Sequence, residues 1–355
     1  MNNQQPTVLQ ILPALNQGGV ERGTVQIDNA IVAAGWNSIV VSSGGRLVEQ
    51  LKGTHIELPV ATKNPFKILA NARKLQSIIK EHNVDIVHAR SRAPAWSASV
   101  ATKKTNTHFM TTFHGTHKIG NAFKLWYNSI MVSGEQVIAV SEFIKKHILE
   151  NYKIDASKIT VIQRGVNLEE FNPDIAPIGL GMPKDKKVVM LPGRITRWKG
   201  QKIFAEAMAD IDAVGVIVGD IGSSEYMREI EDILPDNVII IPGTSSLSEV
   251  LANADCVVTA STQAEAFGRI SIEAQAMGKP VVATAIGGSL ETVIENVTGT
   301  LVEPNNVAAM RVGIEKVLSA KTDWKKNCTE NAAKFSQQIM CEKTLSVYKK
   351  VLQSK

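Results

Sequence analysis

Three short segments concentrate side chains able to handle a phosphorylated sugar. The first reads Ala264-Glu265-Ala266-Phe267-Gly268-Arg269-Ile270-Ser271-Ile272-Glu273. Its pattern is a loop running into a short helix, which Gly278 ends before Pro280 opens a strand. Glu265 then lies in the loop, and Glu273 lies in the helix, turned to the same side. The loop 266–269 offers backbone N–H groups beside the helix start. Such a set suits one carboxylate on sugar hydroxyls, N–H groups on a phosphate and a second carboxylate on ribose. An ordinary acidic loop is the alternative for either glutamate taken alone.

The second segment is Gly193-Arg194-Ile195-Thr196-Arg197-Trp198-Lys199-Gly200, directly after an apolar run. Arginine offers a planar fork to phosphate oxygens and lysine a point charge, so Arg194 and Lys199 could clamp a diphosphate without a metal. A solvated basic turn is the competing reading. The third is Gln17-Gly18-Gly19-Val20-Glu21-Arg22, two glycines at a strand-to-helix turn. Its bare N–H groups and helix dipole allow close approach of a phosphate, although many such turns carry none.

These loops need elements to hold them. Apolar runs fall at 7–13, 38–42, 56–58, 86–88, 108–113, 136–140 and 159–162, then at 188–192, 213–218, 238–241, 256–259, 280–283 and 299–302. Helical patterns separate most of them, among them 21–34, 65–81, 141–151, 201–209, 245–252 and 270–277. Strand and helix in alternation predict parallel sheets covered on both faces, an α/β doubly wound architecture. The pattern pauses at 172–183, which holds three prolines and two glycines and reads as an interdomain linker. A central cleft would then face the carboxyl ends of the strands. A final amphipathic segment covers about 338–352.

The chain has 355 residues, 44% apolar and 21% charged, values of a globular protein with two domains. Its net charge of +5 is lopsided: residues 1–172 carry +7 and residues 173–355 carry −2. A basic half suggests an anionic partner or simply a lysine-rich surface. Cys256, Cys328 and Cys341 fit neither a disulfide framework nor a metal site. The first residues lack a signal-peptide pattern and no stretch reaches 18 apolar residues. A cytoplasmic protein is the expectation, with no nucleic-acid module in view.

The three segments, in their order along the chain, resemble the retaining glycosyltransferases of family 4, the group 1 glycosyl transferases, which have the GT-B fold. The resemblance runs from Val8 to about Pro304. It implies an acceptor-binding domain at 1–171, the linker at 172–183, a donor-binding domain at 184–335, and a closing helix at 336–355 that returns to the first domain. It implies a nucleotide-diphospho-sugar donor, UDP- or GDP-linked, and no strict need for a metal or other cofactor. Arg194 and Lys199 would neutralise the leaving diphosphate with help from Gly18, Gly19 and Gly193. Glu273 would hold ribose, and Glu265 would lie at the donor sugar. Phe267, Gly268, Arg269 and Ile270 would complete the donor site.

The resemblance extends to Thr111-Thr112-Phe113-His114-Gly115-Thr116, where relatives set a histidine against the donor sugar. His114 is therefore a candidate catalytic residue; a satisfied core histidine is the alternative. Pro242 and Gly243 match the edge that holds the base through backbone groups. Ala285–Glu291 resembles a Gly-Gly-x-x-Glu turn that closes the donor pocket. Arg164-Gly165-Val166-Asn167 departs from the family's Asn-Gly-Val-Asp at both polar ends. Retention in the family is attributed to a same-face displacement in which the leaving phosphate takes the acceptor's proton.

Phe123, Trp126, Tyr127, Ile130 and Met131 recur at helical spacing near Lys118 and Lys124. They form either a core face or a surface that dips into an anionic membrane. A glycolipid or saccharide acceptor follows from the resemblance, as in lipopolysaccharide, glycolipid or capsule synthesis on the inner membrane face. A sugar-nucleotide epimerase and a non-catalytic nucleotide-sugar-binding scaffold are the rival functions.

Overall fold

The computed structural model describes residues 5–16, 18–117, 119–183 and 185–354. Gln17 and Lys118 of the motifs lie outside these. The chain divides into two units, Met1–Gly165 with Gln338–Lys355, and Val166–Gln337.

The first unit holds β1 (Thr7–Ile11), β2 (Asn37–Ser42), β3 (Thr54–Glu57), β4 (Ile86–Ala89), β5 (His108–Phe113), β6 (Gln136–Ala139) and β7 (Ile159–Val161). They form one sheet in the order β3-β2-β1-β4-β5-β6-β7, and every pairing is parallel. The second unit holds β8 (Lys187–Pro192), β9 (Ala213–Val218), β10 (Val238–Ile241), β11 (Cys256–Thr259), β12 (Val281–Thr284) and β13 (Gly299–Val302). Their order is β10-β9-β8-β11-β12-β13, again parallel throughout. Central strands such as β1, β4 and β11 are buried at every position, because helices cover both faces of each sheet. In each sheet the order reverses beside its first strand, between β1 and β4 and between β8 and β11. Loops at the carboxyl ends of those pairs diverge to opposite faces and leave room for a ligand.

Two expectations need correction. Residues 172–183 do not stand between the units. Phe171 is buried in the second unit's core, and Ile175, Leu180 and Met182 pack on it. Ile178 N–H donates to the Glu249 carbonyl at 3.1 Å, and Asn253 donates back to the Ile178 carbonyl at 3.0 Å. The chain passes from one unit to the other earlier, at Gly165–Val166, inside the altered Arg164–Asn167 turn. There Val166 N–H donates to Phe335 and its carbonyl accepts from Gln337, so outgoing and returning chain are stitched together.

The second correction concerns the aromatic stripe. It is split between a short helix, Ala122–Asn128, and a 3₁₀ turn, Ser129–Val132. Ile130 and Met131 are buried, whereas Phe123 and Trp126 are 70% and 56% exposed. No helix among the described residues is long and apolar enough to cross a membrane. The closing helix, Gln337–Gln353, does pack on the first unit. Val347, Tyr348 and Val351 meet Ile27, Ile31 and Ile138 there.

One residue shows how tightly the second unit holds its cation-bearing loop. Gly200 sits at φ +73° between the 3₁₀ turn Arg197–Lys199 and the helix Gln201–Met208. A Cβ there would lie 2.0 Å from the Ala260 carbonyl oxygen, which follows β11. Left-handed backbone and steric overlap act together, so Gly200→Ala should lower the unfolding free energy by about 3 kcal/mol or more. Urea denaturation checks this; a loss under about 1 kcal/mol would contradict the packing described.

Candidate active site

The strongest juxtaposition lies at the switch point of the second sheet. Lys199 follows β8 and Glu265 follows β11, the two strands flanking the reversal. The Lys199 Nζ donates to Glu265 Oε1 at 2.8 Å, and each side chain is 15% exposed. Ser261 Oγ donates to the same oxygen at 2.5 Å. The ammonium also lies 4.4 Å from the Trp198 ring centroid, a cation–π contact. The carboxylate is thus fixed by two donors and the ammonium by a carboxylate and a ring. Gly193, at φ +153°, holds a backbone conformation that favours glycine beside the Lys199 stem.

Glycines also hold the glutamate loop. Gly288 N–H donates to the Glu265 carbonyl at 2.8 Å. A Cβ at Gly287 would come 2.5 Å from that oxygen, and one at Gly288 would come 2.3 Å from Phe267 Cα. The Gly-Gly turn after β12 is therefore a brace for the Glu265 loop. Gly268, at φ +85°, then opens the helix Arg269–Ala276. Arg269 Nη2 donates to Glu273 Oε1 at 2.5 Å, one helical turn apart. Glu273 is only 4% exposed, so this pairing matters: a buried lone carboxylate would be costly.

The other candidates spread around this centre. Arg194 is exposed, and among the described residues no ion pair holds its guanidinium. Arg197 is drawn away: it grips Glu229 with both terminal nitrogens and lies over the Tyr226 ring. Of the loop's three cations, two remain for a ligand. Pro242 and Gly243 follow the edge strand β10 and are exposed. Gly243 lies against Asp220, whose carboxylate would be 2.5 Å from an added Cβ. The Asp220 carbonyl accepts from Ile195 N–H at 2.9 Å, linking that edge to the cation loop. Ile270 is half-buried in the helix's first turn. The Phe267 side chain is buried, with its ring 5.6 Å from that of Phe335, which leaves its backbone N–H as the group to offer a ligand.

In the first unit, Gly18 (φ +143°) caps the helix Gly19–Ala33 without a side-chain bond. His114 follows β5 and lines a recess with Arg90 and Arg164. Neither ring nitrogen has a hydrogen-bond partner in the structure. Burial, then the charges of Arg164 and Arg90, hold this imidazole well below its usual range. It is neutral near pH 7 and offers one N–H and one lone pair.

Sequence reasoning missed Ser261, Arg90 and Arg164 as parts of these clusters. The Arg269–Glu273 spacing of four was a readable signal on a predicted helix. Ser261 carried none, since its role depends on how the loop after β11 turns.

Two doubly wound parallel sheets, the second bearing paired cations and carboxylates at its switch point, define a GT-B glycosyltransferase. The chain belongs to glycosyltransferase family 4, the group 1 glycosyl transferases. Residues 17–170 match the Glycosyltransferase Family 4 model, and residues 175–335 match the Glycosyl transferases group 1 model. A glycosyltransferase of Rickettsia africae ESF-5 has 41% identity and a TM-score of 0.90, covering 99% of this chain and 100% of that one. An uncharacterized glycosyltransferase of Methanocaldococcus jannaschii is 27% identical over 80% of this chain and 79% of its own. D-inositol 3-phosphate glycosyltransferase of Mycolicibacterium smegmatis is 30% identical over 63% of this chain, and the match spans only 54% of that protein. Anabaena HepE, solved with UDP and glucose, shares the fold at a TM-score of 0.82 and 20% identity, covering 98% of this chain and 100% of that one.

The placement of Phe267 makes it a packing residue. Phe267→Ala should cost about 3–5 kcal/mol of stability and leave the donor KM within about threefold. A stable variant with a sharply raised KM would show that the ring touches the donor.

Proposed function

We propose that this glycosyltransferase moves a hexose, with retention, from a UDP- or GDP-sugar to a lipid-linked or polysaccharide acceptor. The second unit takes the donor and the first takes the acceptor. The observation that carries this reading is the Lys199–Glu265–Ser261 cluster at the β8/β11 switch point. Lys199 and Arg194 supply positive charge where a departing nucleoside diphosphate accumulates negative charge. The proposal gives that task to these two cations rather than to a metal or another cofactor. Gly18, Gly19 and Gly193 add backbone N–H groups, and Gly268 frees those of the Arg269–Ala276 helix start. Glu273, steadied by Arg269, takes ribose hydroxyls, and Pro242 with Gly243 flank the base.

Glu265 is assigned to the sugar hydroxyls. Its Oε1 already accepts from an ammonium and a hydroxyl, which blunts it as a nucleophile. That supports a displacement in which the leaving phosphate takes the acceptor's proton. His114 contributes a neutral imidazole to sugar hydroxyls. The name of Anabaena HepE's complex, with UDP and glucose, is in keeping with such a donor. The lipopolysaccharide galactosyltransferase WaaB shares the fold, in keeping with an acceptor of that kind.

The membrane part of the proposal rests on an exposed aromatic patch. Phe123 and Trp126 stack at 5.7 Å, and Trp126 meets Trp96 at 4.8 Å. Lys63 reaches to 5.9 Å from the neighbouring Tyr127 ring, which brings the start of helix Pro65–Glu81 alongside. Phe66 there is 81% exposed, and Lys63, Lys67 and Lys124 are exposed around the patch. Apolar rings within a lysine border suit an anionic leaflet, and the proposed location is the cytoplasmic face of the inner membrane.

Incubation of the purified protein with nucleotide-sugars and membrane extract tests the reaction. Lys199→Ala and Glu273→Ala should each lower transfer about a hundredfold or more. Undiminished transfer in both removes the site assignment, and conversion of donor without acceptor would mark an epimerase. Tight donor binding with no turnover would mark a scaffold. Separately, Phe123→Ser with Trp126→Ser should weaken sedimentation with anionic vesicles by about tenfold. Unchanged sedimentation, or equal binding to neutral vesicles, contradicts the membrane reading.

A further inference from the structure

The first unit contains a recess whose two arginines have no part in the donor chemistry; His114, which also lines it, has two ring nitrogens without a partner in the structure, one for the donor sugar and one for a second ligand. It lies at the carboxyl ends of β4 to β7, beside that sheet's own order reversal. Arg90 directly follows β4, His114 directly follows β5, and Arg164 comes just after β7. Thr112 and Thr344 add hydroxyls, and no carboxylate lines the recess among the described residues. Its volume is about 20 Å³, room for one water-sized group.

The cations are built in, not draped over the surface. Arg90 and Arg164 are 5% and 7% exposed. Arg90 Nη1 donates to the neutral Gln10 at 3.0 Å, while its buried Nε has no acceptor in the structure. A Cβ placed on Gly23 would lie 2.4 Å from Arg164 Nη1 and 3.3 Å from Arg90 Nη2. Both guanidiniums therefore converge on one point beside the first helix. His88 frames them from below and is itself satisfied, by Tyr348 and Thr112 at 2.7 Å each. Burying the Arg90 charge with its own Nε donor unused is expensive unless an anionic acceptor completes the site.

We propose that this recess binds a single oxyanion, the phosphate or carboxylate of the sugar acceptor, with Arg90 and Arg164 as its cations and His114 as a hydrogen-bond donor. The small volume admits one oxygen of that group and leaves the rest of the oxyanion and the sugar in the mouth. The acceptor role rests on the proposed glycosyl transfer; the anion site itself does not. It also gives the basic excess of the first half a location: two of its arginines serve one ligand.

The test uses the full chain at low salt. Inorganic phosphate, glucose 1-phosphate, glucuronate and neutral glucose are titrated by calorimetry, and the His114 ring is followed by NMR. The anionic sugars should bind at least about tenfold tighter than glucose and inorganic phosphate, and should shift the His114 ring signals. Arg90→Gln should abolish this binding, and Lys199→Ala should leave it intact. Gly23→Ala guards against misfolding of the arginine variant. It favours the helix and removes no charge, but forces Arg164 aside, so it should weaken binding several-fold. Binding lost in Lys199→Ala and kept in Arg90→Gln would move the anion to the second unit and overturn the proposal. So would a silent His114 ring. Inorganic phosphate binding as tightly as the sugar phosphate would reveal a free-anion site and overturn the acceptor assignment. Failure of any nucleotide-sugar to bind the same preparation would instead strike the glycosyl-transfer reading.

Discussion

The second unit is organised around one ion pair, Lys199 with Glu265. Its partners come from loops 66 residues apart in the chain. They meet because β8 and β11 are neighbours at the one place where the strand order reverses. Glycines shape the region on both sides of this meeting. Gly200 lets the lysine loop turn tightly against Ala260, and Gly287 with Gly288 press the glutamate loop from the far side. Both charges are mostly buried, so losing either partner would strand the other in a poorly solvated place. The pair thus fixes the lysine at the carboxyl ends of both strands.

Much of this was legible in the sequence. The thirteen strands of the described residues follow apolar runs, because parallel strands covered on both faces need no alternation. The motif residues Lys199, Glu265 and Glu273 each stand where a loop or a short helix was expected. What was not legible depends on tertiary neighbours. A proline-rich, aperiodic stretch looks the same whether it bridges two units or lies along one. Only the burial of Phe171 and the Ile178–Glu249 bond show that 172–183 does the latter. Phe267 sits in a motif of ligand-binding residues, yet Phe335, from far along the chain, claims its ring. Arg164 stood out only as a departure from the family turn. Its convergence with Arg90 at Gly23 follows from the order of β1, β4 and β7, which composition cannot supply.

The two units divide their charge in a way that follows from chemistry. The donor-side cations are few and partly countered: Lys199 by Glu265 and Arg197 by Glu229, with Arg194 left exposed. On the proposed function a diphosphate would bind here by exchanging partners with these carboxylates. The first unit instead gathers arginine beside neutral histidines in a recess that no carboxylate lines among the described residues. The histidines stay uncharged because burial and the arginines disfavour a further proton there. Lysines border exposed aromatic rings elsewhere on the same unit, a different use of positive charge. The net excess of the first half is therefore two features, one buried and one on the surface.

The central claim is that Lys199 waits for the diphosphate of a nucleotide-sugar. Calorimetry of a nucleoside diphosphate against its monophosphate, for uridine and guanosine in turn, tests it most directly. With the preferred base, the diphosphate should bind at least about tenfold tighter than the monophosphate, and Lys199→Ala should erase that difference. Equal affinities in the unaltered protein, or a difference that survives Lys199→Ala, would contradict the account.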